Sequence, residues 1–330
     1  MYESFWYLNK QTNKIDMKTK LLALVATLGM VASASAVKVN NNLSINGFID
    51  GSYKLIDASP AAGKTYDDDQ AIDADEVELN FVLTHGAVSG LISIDSADTQ
   101  GNDGVSIEQA HFTYDLGNGI SVTAGRYGSA LGFEREDPAG LYTYSRAYDS
   151  EFNLGNTDDS VNEGVSVSYA ADNFSLAASF HNKRGANIED GDDLDLEVSF
   201  SYTGLADTVV GGGYLFDNQD NNEIDVSNIH ASRSFGKFLV AGEYTEMQDD
   251  NNGDRDGYLV LVDYDYNDKI GAALRFSKNE VSGTNAESER LTIAPNYSIT
   301  ENLGAILEYS DVENVNGSAD EFAVELTYTF

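Results

Sequence analysis

The densest group of charged side chains in the sequence lies between residues 126 and 151. Three of the eight arginines fall within 21 residues there, beside five carboxylates. Opposed charges on two sides of a narrow aqueous passage create a transverse field that sorts ions by sign. The alternative is a solvated surface loop whose ion pairs contribute little. The residues predicted to line such a constriction are Arg126, Glu134, Arg135, Glu136, Asp137 and Arg146.

A second group of acidic residues partly fits a calcium-binding loop. Asn252, Asp254 and Asp256 are spaced like the first ligands of an EF-hand, with Asp263 at the twelfth position. An EF-hand needs flanking helices and a Glu at that position, whereas a strand pattern begins at Tyr258. We predict no EF-hand. Looser divalent-cation binding by the Asp-rich loops, or a role in solubility alone, stays open.

Signs of catalytic chemistry are weak. His85, His111, His181 and His230 fall in four different segments or turns, and none is paired with a Ser in a nucleophile motif. The glycines at 211–213 lie within a strand pattern, where they suit a bend or a close packing contact rather than a phosphate. We therefore expect no enzymatic activity and no cofactor.

The composition excludes several classes of protein. The chain has 330 residues and a formal net charge of −36, so nucleic acid is an improbable partner. It has no Cys, which excludes disulfide scaffolds, thiol catalysis and Cys-based metal sites. With 30 Gly, 3 Pro and 34 Tyr or Phe, the composition favours a β-rich protein with many tight turns.

The beginning of the sequence predicts export. Met17 opens a basic start, followed by an apolar run over 21–31 and by Ala34-Ser35-Ala36, which together are typical of a secretory signal peptide. The apolar run is shorter than the ~20 residues of a spanning helix. We predict an upstream extension without a function at 1–16, a signal peptide at 17–36, and one barrel domain at 37–330.

From Leu43 onward, apolar and polar residues alternate, the period of a strand with two unlike faces. We predict sixteen strands, with approximate cores at 43–55, 74–84, 87–97, 106–116, 119–127, 163–170, 174–182, 193–202, 208–217, 223–233, 238–248, 257–266, 270–278, 288–298, 303–311 and 321–330. Tyrosines recur near the strand ends, where aromatic girdles would lie. They are Tyr53, Tyr114, Tyr169, Tyr202, Tyr244, Tyr266, Tyr297, Tyr309 and Tyr328.

The connections distinguish a soluble β-protein from a membrane barrel. After every even-numbered segment the link is short, whereas most odd-numbered segments are followed by longer polar links, such as Ile56–Asp73 and Val312–Asp320. Short periplasmic turns and long extracellular loops organise an outer-membrane barrel, whereas a sandwich does not predict this rhythm. The predicted fold is all-β: a transmembrane antiparallel β-barrel of about sixteen strands with long acidic extracellular loops.

The predicted mature chain resembles Gram-negative outer-membrane porins over essentially its whole length. Tyr328-Thr329-Phe330 resembles the aromatic signal by which the barrel-assembly machinery recognises its clients. Ala124-Gly125-Arg126-Tyr127 ends the fifth segment and precedes the longest connection, where general porins fold a loop into the lumen. That connection lacks the Pro-Glu-Phe-Gly-Gly stretch of enterobacterial porins, so the chain also resembles the less studied families of "putative β-barrel porins".

The resemblance implies an outer-membrane location, a homotrimer, and contact with outer-membrane lipid and the barrel-assembly machinery. Candidate wall partners of the loop, chosen by inward parity, are Lys54, Glu78, His111, Arg275 and Arg290. We predict a water-filled channel for passive diffusion of ions and small hydrophilic solutes. Since the mature chain has 53 acidic and 15 basic residues, we expect a preference for cations. The alternatives are a non-conducting barrel for adhesion or membrane stability, and a secreted soluble β-protein that binds calcium or glycans.

Overall fold

The computed structural model describes residues 36–97, 104–134, 138–147, 161–182, 194–217, 224–249, 253–284 and 286–330. The predicted extension at 1–16, and the predicted signal peptide except for Ala36, lie outside these residues. Both therefore stay predictions.

The described residues form seventeen β-strands and one short 3₁₀ turn at Pro138–Gly140. The strands are β1 Val37–Lys38, β2 Leu43–Pro60, β3 Asp69–His85, β4 Val88–Ala97, β5 Ser106–Gly117, β6 Ile120–Gly128, β7 Val161–Ala170, β8 Phe174–His181, β9 Asp195–Tyr202, β10 Thr208–Phe216, β11 Ile224–Phe235, β12 Phe238–Asp249, β13 Arg255–Asp265, β14 Ile270–Val281, β15 Glu287–Ser298, β16 Leu303–Asn314 and β17 Gly317–Thr329. Within the described ranges, no helix is long and apolar enough to cross a membrane.

The sixteen long strands, β2 to β17, close into one antiparallel barrel. Each strand pairs with the next along the chain, and β17 pairs with β2 from Gly317 opposite Pro60 to Thr329 opposite Phe48. Beyond this seam the backbones of Gly47 and Phe330 exchange two hydrogen bonds of 3.1 Å. The predicted strand count is confirmed, and β1 is a two-residue strand paired with the start of β2.

The two faces of the barrel differ because side chains alternate along each strand. On β15, Leu291 and Ile293 are about half exposed on the outside, whereas Thr292 and Ala294 are fully buried on the inside. The same division holds round the ring: the outward set is Leu, Ile, Val, Phe and Tyr, and the inward set is mostly Ser, Thr, Asn, Asp and Glu. This is the pattern of a membrane barrel, with an apolar belt outside and a polar lumen.

Aromatic residues mark both edges of the outer belt. Eight of the nine tyrosines predicted for the girdles have outward parity on their strands, and Tyr266 follows the end of β13. At the edge near the long loops, three of the outward tyrosines donate their hydroxyl to an Asp on the next strand, two positions beyond the residue directly opposite. The pairs are Tyr214–Asp225 at 2.7 Å, Tyr244–Asp256 at 2.5 Å, and Tyr309–Asp320. Outward carboxylates lie beyond these tyrosines, so the apolar outer belt ends at the height of the tyrosines.

The predicted alternation of short and long connections fails between β16 and β17, and several strands run further than expected. The segment Val312–Asp320, predicted as a long loop, is mostly strand, and only residues 315 and 316 separate β16 from β17. Similarly β2 and β3 have 18 and 17 residues, more than the ~9–11 that cross a bilayer. The extensions carry outward polar residues such as Asp311 and Asp320, so they continue cross-strand pairing beyond the apolar belt.

The outward assignment can be tested on Leu274, which is about half exposed in the middle of the outer face of β14. We expect Leu274→Arg to lower the free energy of unfolding from lipid vesicles by about 2–4 kcal/mol, since it places a charge against hydrocarbon. Leu274→Phe is the control and should change it by less than ~1.5 kcal/mol. Equal stability of the two variants, measured by denaturant titration, would contradict the assignment.

Candidate functional site

The connection between β6 and β7 lies inside the barrel. Its first residues contact inward side chains of other strands: Ser129 Oγ and the Ala130 N–H donate to Glu197 on β9 at 2.7 and 2.8 Å. The N–H of Phe133 then donates to Glu243 on β12 at 2.6 Å. A loop that reaches inward residues three and six strands further round the ring must lie within the lumen. We call residues 129–134 and 138–147 the inner loop.

An apolar patch on the lumen wall also holds the inner loop. Leu131 and Ala147 pack into a buried cluster with inward residues of β10 to β13, which are Leu215, Val226, Ala241, Met247, Leu259 and Leu261. Gly213 permits this contact, because a Cβ at that position would lie 2.5 Å from Leu131 Cδ2. Gly213 therefore makes a close packing contact, one of the two roles that the sequence predicted for the glycines at 211–213.

Arg275 joins the two halves of the inner loop to the wall. Its side chain is fully buried on the inner face of β14 and donates to Glu134 Oε1 at 2.6 Å. The guanidinium also donates to Thr143 Oγ1 at 2.7 Å, to the carbonyl and hydroxyl oxygens of Ser145 at 2.7 and 2.8 Å, and to the Arg146 carbonyl at 3.0 Å. One side chain therefore contacts both described parts of the inner loop.

The far part of the inner loop continues along the wall to β2 and β3. Tyr142 packs against Ala273, Ala294 and Ile306, and the Ser145 N–H donates to Glu308 on β16 at 3.1 Å. Burial raises the pKa of Tyr142, which is therefore a neutral phenol at physiological pH.

Two further loop residues reach the seam region. Ser52 on β2 donates to the Tyr144 hydroxyl at 3.0 Å, and Arg146 Nη2 lies 3.9 Å from Glu76 on β3. Burial raises the pKa of Tyr144 to about 12, so this group is also neutral at physiological pH. The loop thus follows the wall from β9 round to β3, and Arg146 presents a positive charge, one-third exposed, near its end.

The structure brings together only some of the predicted constriction residues. Glu134 and Arg146 lie in the lumen, and Arg135, Glu136 and Asp137 lie outside the described residues. Arg126 does not join them. It has outward parity on β6 with Ile120, and its guanidinium pairs at 3.2 Å with Glu163, which has outward parity on β7 with Val165. Its assignment to the constriction was wrong, because strand alternation directs its side chain out of the barrel.

The five wall residues chosen by parity all face inward. Arg275 is the anchor described above, and Glu78 and His111 are buried on β3 and β5. Arg290 pairs with Glu321 at 2.6 Å across β16, and Lys54 lies 3.9 Å from Asp69.

The calcium-loop candidates do not converge. Asp256 accepts from Tyr244 on the outer face, whereas Asp263, seven residues along the same strand, is buried inside. Asp254 accepts from the Asp249 N–H at 3.3 Å, and Asn252 lies outside the described residues. Over the described ranges, no three His, Asp or Glu side chains are grouped as a metal site would need.

Several inward carboxylates were not singled out by the sequence. Glu197, Glu243 and Glu308 hold the inner loop, and alternation alone could have marked them as inward. Asp50 and Glu325 are also inward and buried, next to Asp75. Asp75 could not have been found by alternation, because a register shift in β3 turns it towards the lumen.

The comparisons with known proteins agree with this geometry. The sequence model of the family described as "Putative beta-barrel porin-2, OmpL-like" matches residues 42–329. No curated protein matches the sequence.

Solved structures share the fold at low sequence identity. OmpF of Salmonella typhi, in complex with daunomycin, is 14% identical with a TM-score of 0.68, over 89% of this chain and 100% of that chain. The outer membrane channel DcaP of Acinetobacter baumannii is 16% identical with a TM-score of 0.65, over 89% and 99%. An anion-selective porin from Comamonas acidovorans is 13% identical with a TM-score of 0.64, over 87% and 99%.

The anchoring role of Arg275 can be tested by substitution. We expect Arg275→Met to detach the inner loop, because the buried Glu134 carboxylate loses its partner at a cost of about 3–5 kcal/mol. Faster hydrogen exchange and limited proteolysis over residues 129–147 would report the release of the inner loop. A heat-modifiable electrophoretic mobility would show that the barrel itself is still folded.

Arg290→Met is the matched control, since it removes an ion pair that lies within the wall. The double variant Arg275→Met/Glu134→Leu should recover part of the protection, because no buried carboxylate is then left unpaired. Unchanged exchange of the loop in Arg275→Met would contradict the anchoring role.

Proposed function

Because the chain belongs to the β-barrel porin family whose model spans residues 42–329, and is therefore an outer-membrane barrel, we propose that it is a diffusion channel for ions and small hydrophilic solutes. The observation that carries this proposal is the polar inner face with a loop held along one side of it. Such a lumen suits water and solutes, and a loop within it sets the width and charge of the passage.

The proposed passage lies between the inner loop and the wall formed by β3 to β8. The inward side chains of that wall include polar residues that are partly exposed, such as Asn80, Gln109 and Thr113. Arg146 faces it from the loop, and Glu76 and Glu78 face it from β3. In this proposal, Arg146 and the inward carboxylates form the narrowing; whether Arg135, Glu136 and Asp137 contribute stays a prediction.

We propose a preference for cations on the basis of the inner-face charges. Asp50, Glu78 and Asp95 are inward and buried on β2 to β4, and Glu108 is buried beside Ser93. The buried base Arg275 is neutralised by Glu134, so it contributes little to the field in the passage. The remaining inner field is therefore negative and favours cations.

The proposed chemistry is transport without catalysis. The four histidines lie on four different strands, with His85 at the end of β3, His111 on β5, His181 on β8 and His230 on β11. The polar groups around them are wall and loop residues rather than a nucleophile and its base; for example, His230 Nδ1 lies 3.2 Å from Asn228 Oδ1.

The decisive experiment is the conductance of the refolded mature chain, residues 37–330, in a planar bilayer under a KCl gradient. We expect stepwise openings and a reversal potential displaced towards that of K⁺. An anion-directed potential would keep the channel but overturn the cation preference. A folded, heat-modifiable barrel without openings would overturn the channel and favour the non-conducting barrel with an adhesive or structural role.

We also propose a homotrimer and assembly through the barrel-assembly machinery, with Tyr328 and Phe330 as the recognition signal. Tyr328 faces outward near the end of β17, and Phe330 follows that strand. Their ring centroids lie 5.9 Å apart. We expect Phe330→Ala to reduce the amount assembled in cells, while unassisted refolding into vesicles stays near that of the parent chain. An equal loss in both assays would show that the ring acts on stability instead. Cross-linking of the purified barrel tests the trimer.

A further inference from the structure

Three carboxyl groups from three adjacent strands meet on the inner wall beside the seam. On the inner face Asp50 of β2 lies opposite Thr327 of β17, and Glu325 lies two positions away on β17. Asp75 lies beside Asp50 on β3, one position before Glu76, which is directly opposite Asp50. Asp50 is only 1% exposed and Glu325 only 2% exposed. We call these three residues the seam triad. The triad lies on β17, β2 and β3, whereas the Arg275 anchor lies on β14.

A β-bulge builds the seam triad. Asp50 lies opposite Glu76 and Ser52 opposite Asp73, so one residue of β2 faces two residues of β3 between these pairs. The extra residue changes the parity of β3 at this point and directs Asp75 inward, next to Ser52 and Asp50. Bulges commonly re-aim a side chain in this way.

A proton on one carboxyl group would allow the members of the seam triad to hydrogen-bond to one another. An ionised carboxylate only accepts, so a hydrogen bond between two carboxyl groups needs one of them to carry a hydrogen. Thr327 Oγ1 donates to Asp50 Oδ1 at 2.6 Å, which supplies one donor. Glu325 Oε2 is buried without a hydrogen-bond partner, so nothing replaces the hydrogen bonds that this oxygen would make with water.

Most of the surrounding charges do not compensate the charge of the seam triad. Arg146 of the inner loop lies 3.9 Å from Glu76, the inward residue directly opposite Asp50, so these two charges largely offset each other. Asp73 and Glu308 add negative charge next to Asp75 and Glu325. Tyr144 faces the triad from the inner loop as a neutral phenol. Lys54 is the base that acts on Asp75, and it is one-third exposed and also lies 3.9 Å from Asp69. A buried group of like charges without a matching base takes up protons instead.

We propose that Asp50, Asp75 and Glu325 bind a shared proton and that their protonation sets how strongly the channel prefers cations. This inference rests on the proposed function. As acid adds protons, negative charge leaves the inner wall and the field that concentrates cations weakens. As the protons leave at higher pH, the cation preference increases.

The test compares the K⁺/Cl⁻ permeability ratio in planar bilayers between about pH 8 and about pH 5. For the parent chain we expect the ratio to fall by about twofold to tenfold on acidification. Glu325→Gln, which replaces the orphan acceptor by an amide that can donate, should lower the ratio at the higher pH and flatten its pH dependence. Asp75→Asn should do the same and serves if Glu325→Gln fails to fold.

Asp311→Asn is the matched control, because it removes one carboxylate from the outward face of β16. It should keep the pH dependence of the parent chain. If both triad variants also keep it, the proposal is overturned, while the channel itself stands.

A second measurement does not depend on conductance. Infrared difference spectra of the reconstituted barrel should show a protonated carboxyl band that Glu325→Gln or Asp75→Asn reduces and Asp311→Asn leaves unchanged. Absence of that band in the parent chain would overturn the shared proton, even if no ion current is observed. Lack of current with the band present would overturn the proposed channel and leave the proton site standing.

Discussion

The whole structure depends on the need to pair backbone amides in a medium that offers no partners. Hydrocarbon cannot accept or donate a hydrogen bond, so a sheet that crosses it has to close on itself. The thirteen-position seam between β17 and β2 provides that closure. Closure then gives each strand one face towards lipid and one towards the lumen, and the alternation of the sequence follows from it.

The inner loop meets the same requirement by a different route. Its backbone is irregular, so it cannot pair with itself as a strand does, and such a chain is tolerated at membrane depth only within protein or beside water. Inward carboxylates supply the acceptors: Glu197, Glu243 and Glu308 each accept from a loop N–H. Part of the acidity of the lumen is therefore structural. It holds the loop through charge-assisted hydrogen bonds, which are stronger than neutral ones.

Alternation made the fold predictable, and its exceptions mark where prediction failed. It gave sixteen strands and the inward parity of Arg275, because period-two patterning is local. The same alternation places Arg126 outward. Its assignment to the constriction relied instead on the density of charged residues around the loop. The position of Asp75 depends on a bulge, and the partners of Arg275 depend on the path of a loop 130 or more residues away in sequence. Neither is encoded in a local pattern.

The lumen thus contains two kinds of carboxylate with different physical roles. Those on β9, β12 and β16 accept hydrogen bonds from the backbone of the inner loop and so hold the loop in place. Those of the seam triad are buried beside one another, and Asp50 accepts from Thr327; we propose that protons compensate their charge. The two groups occupy different strands, so in the proposed channel the triad can alter the electrostatics of the passage while Arg275, Glu197 and Glu243 keep their bonds to the loop. On this proposal the barrel keeps one architecture while a few side chains beside the seam set its ion preference.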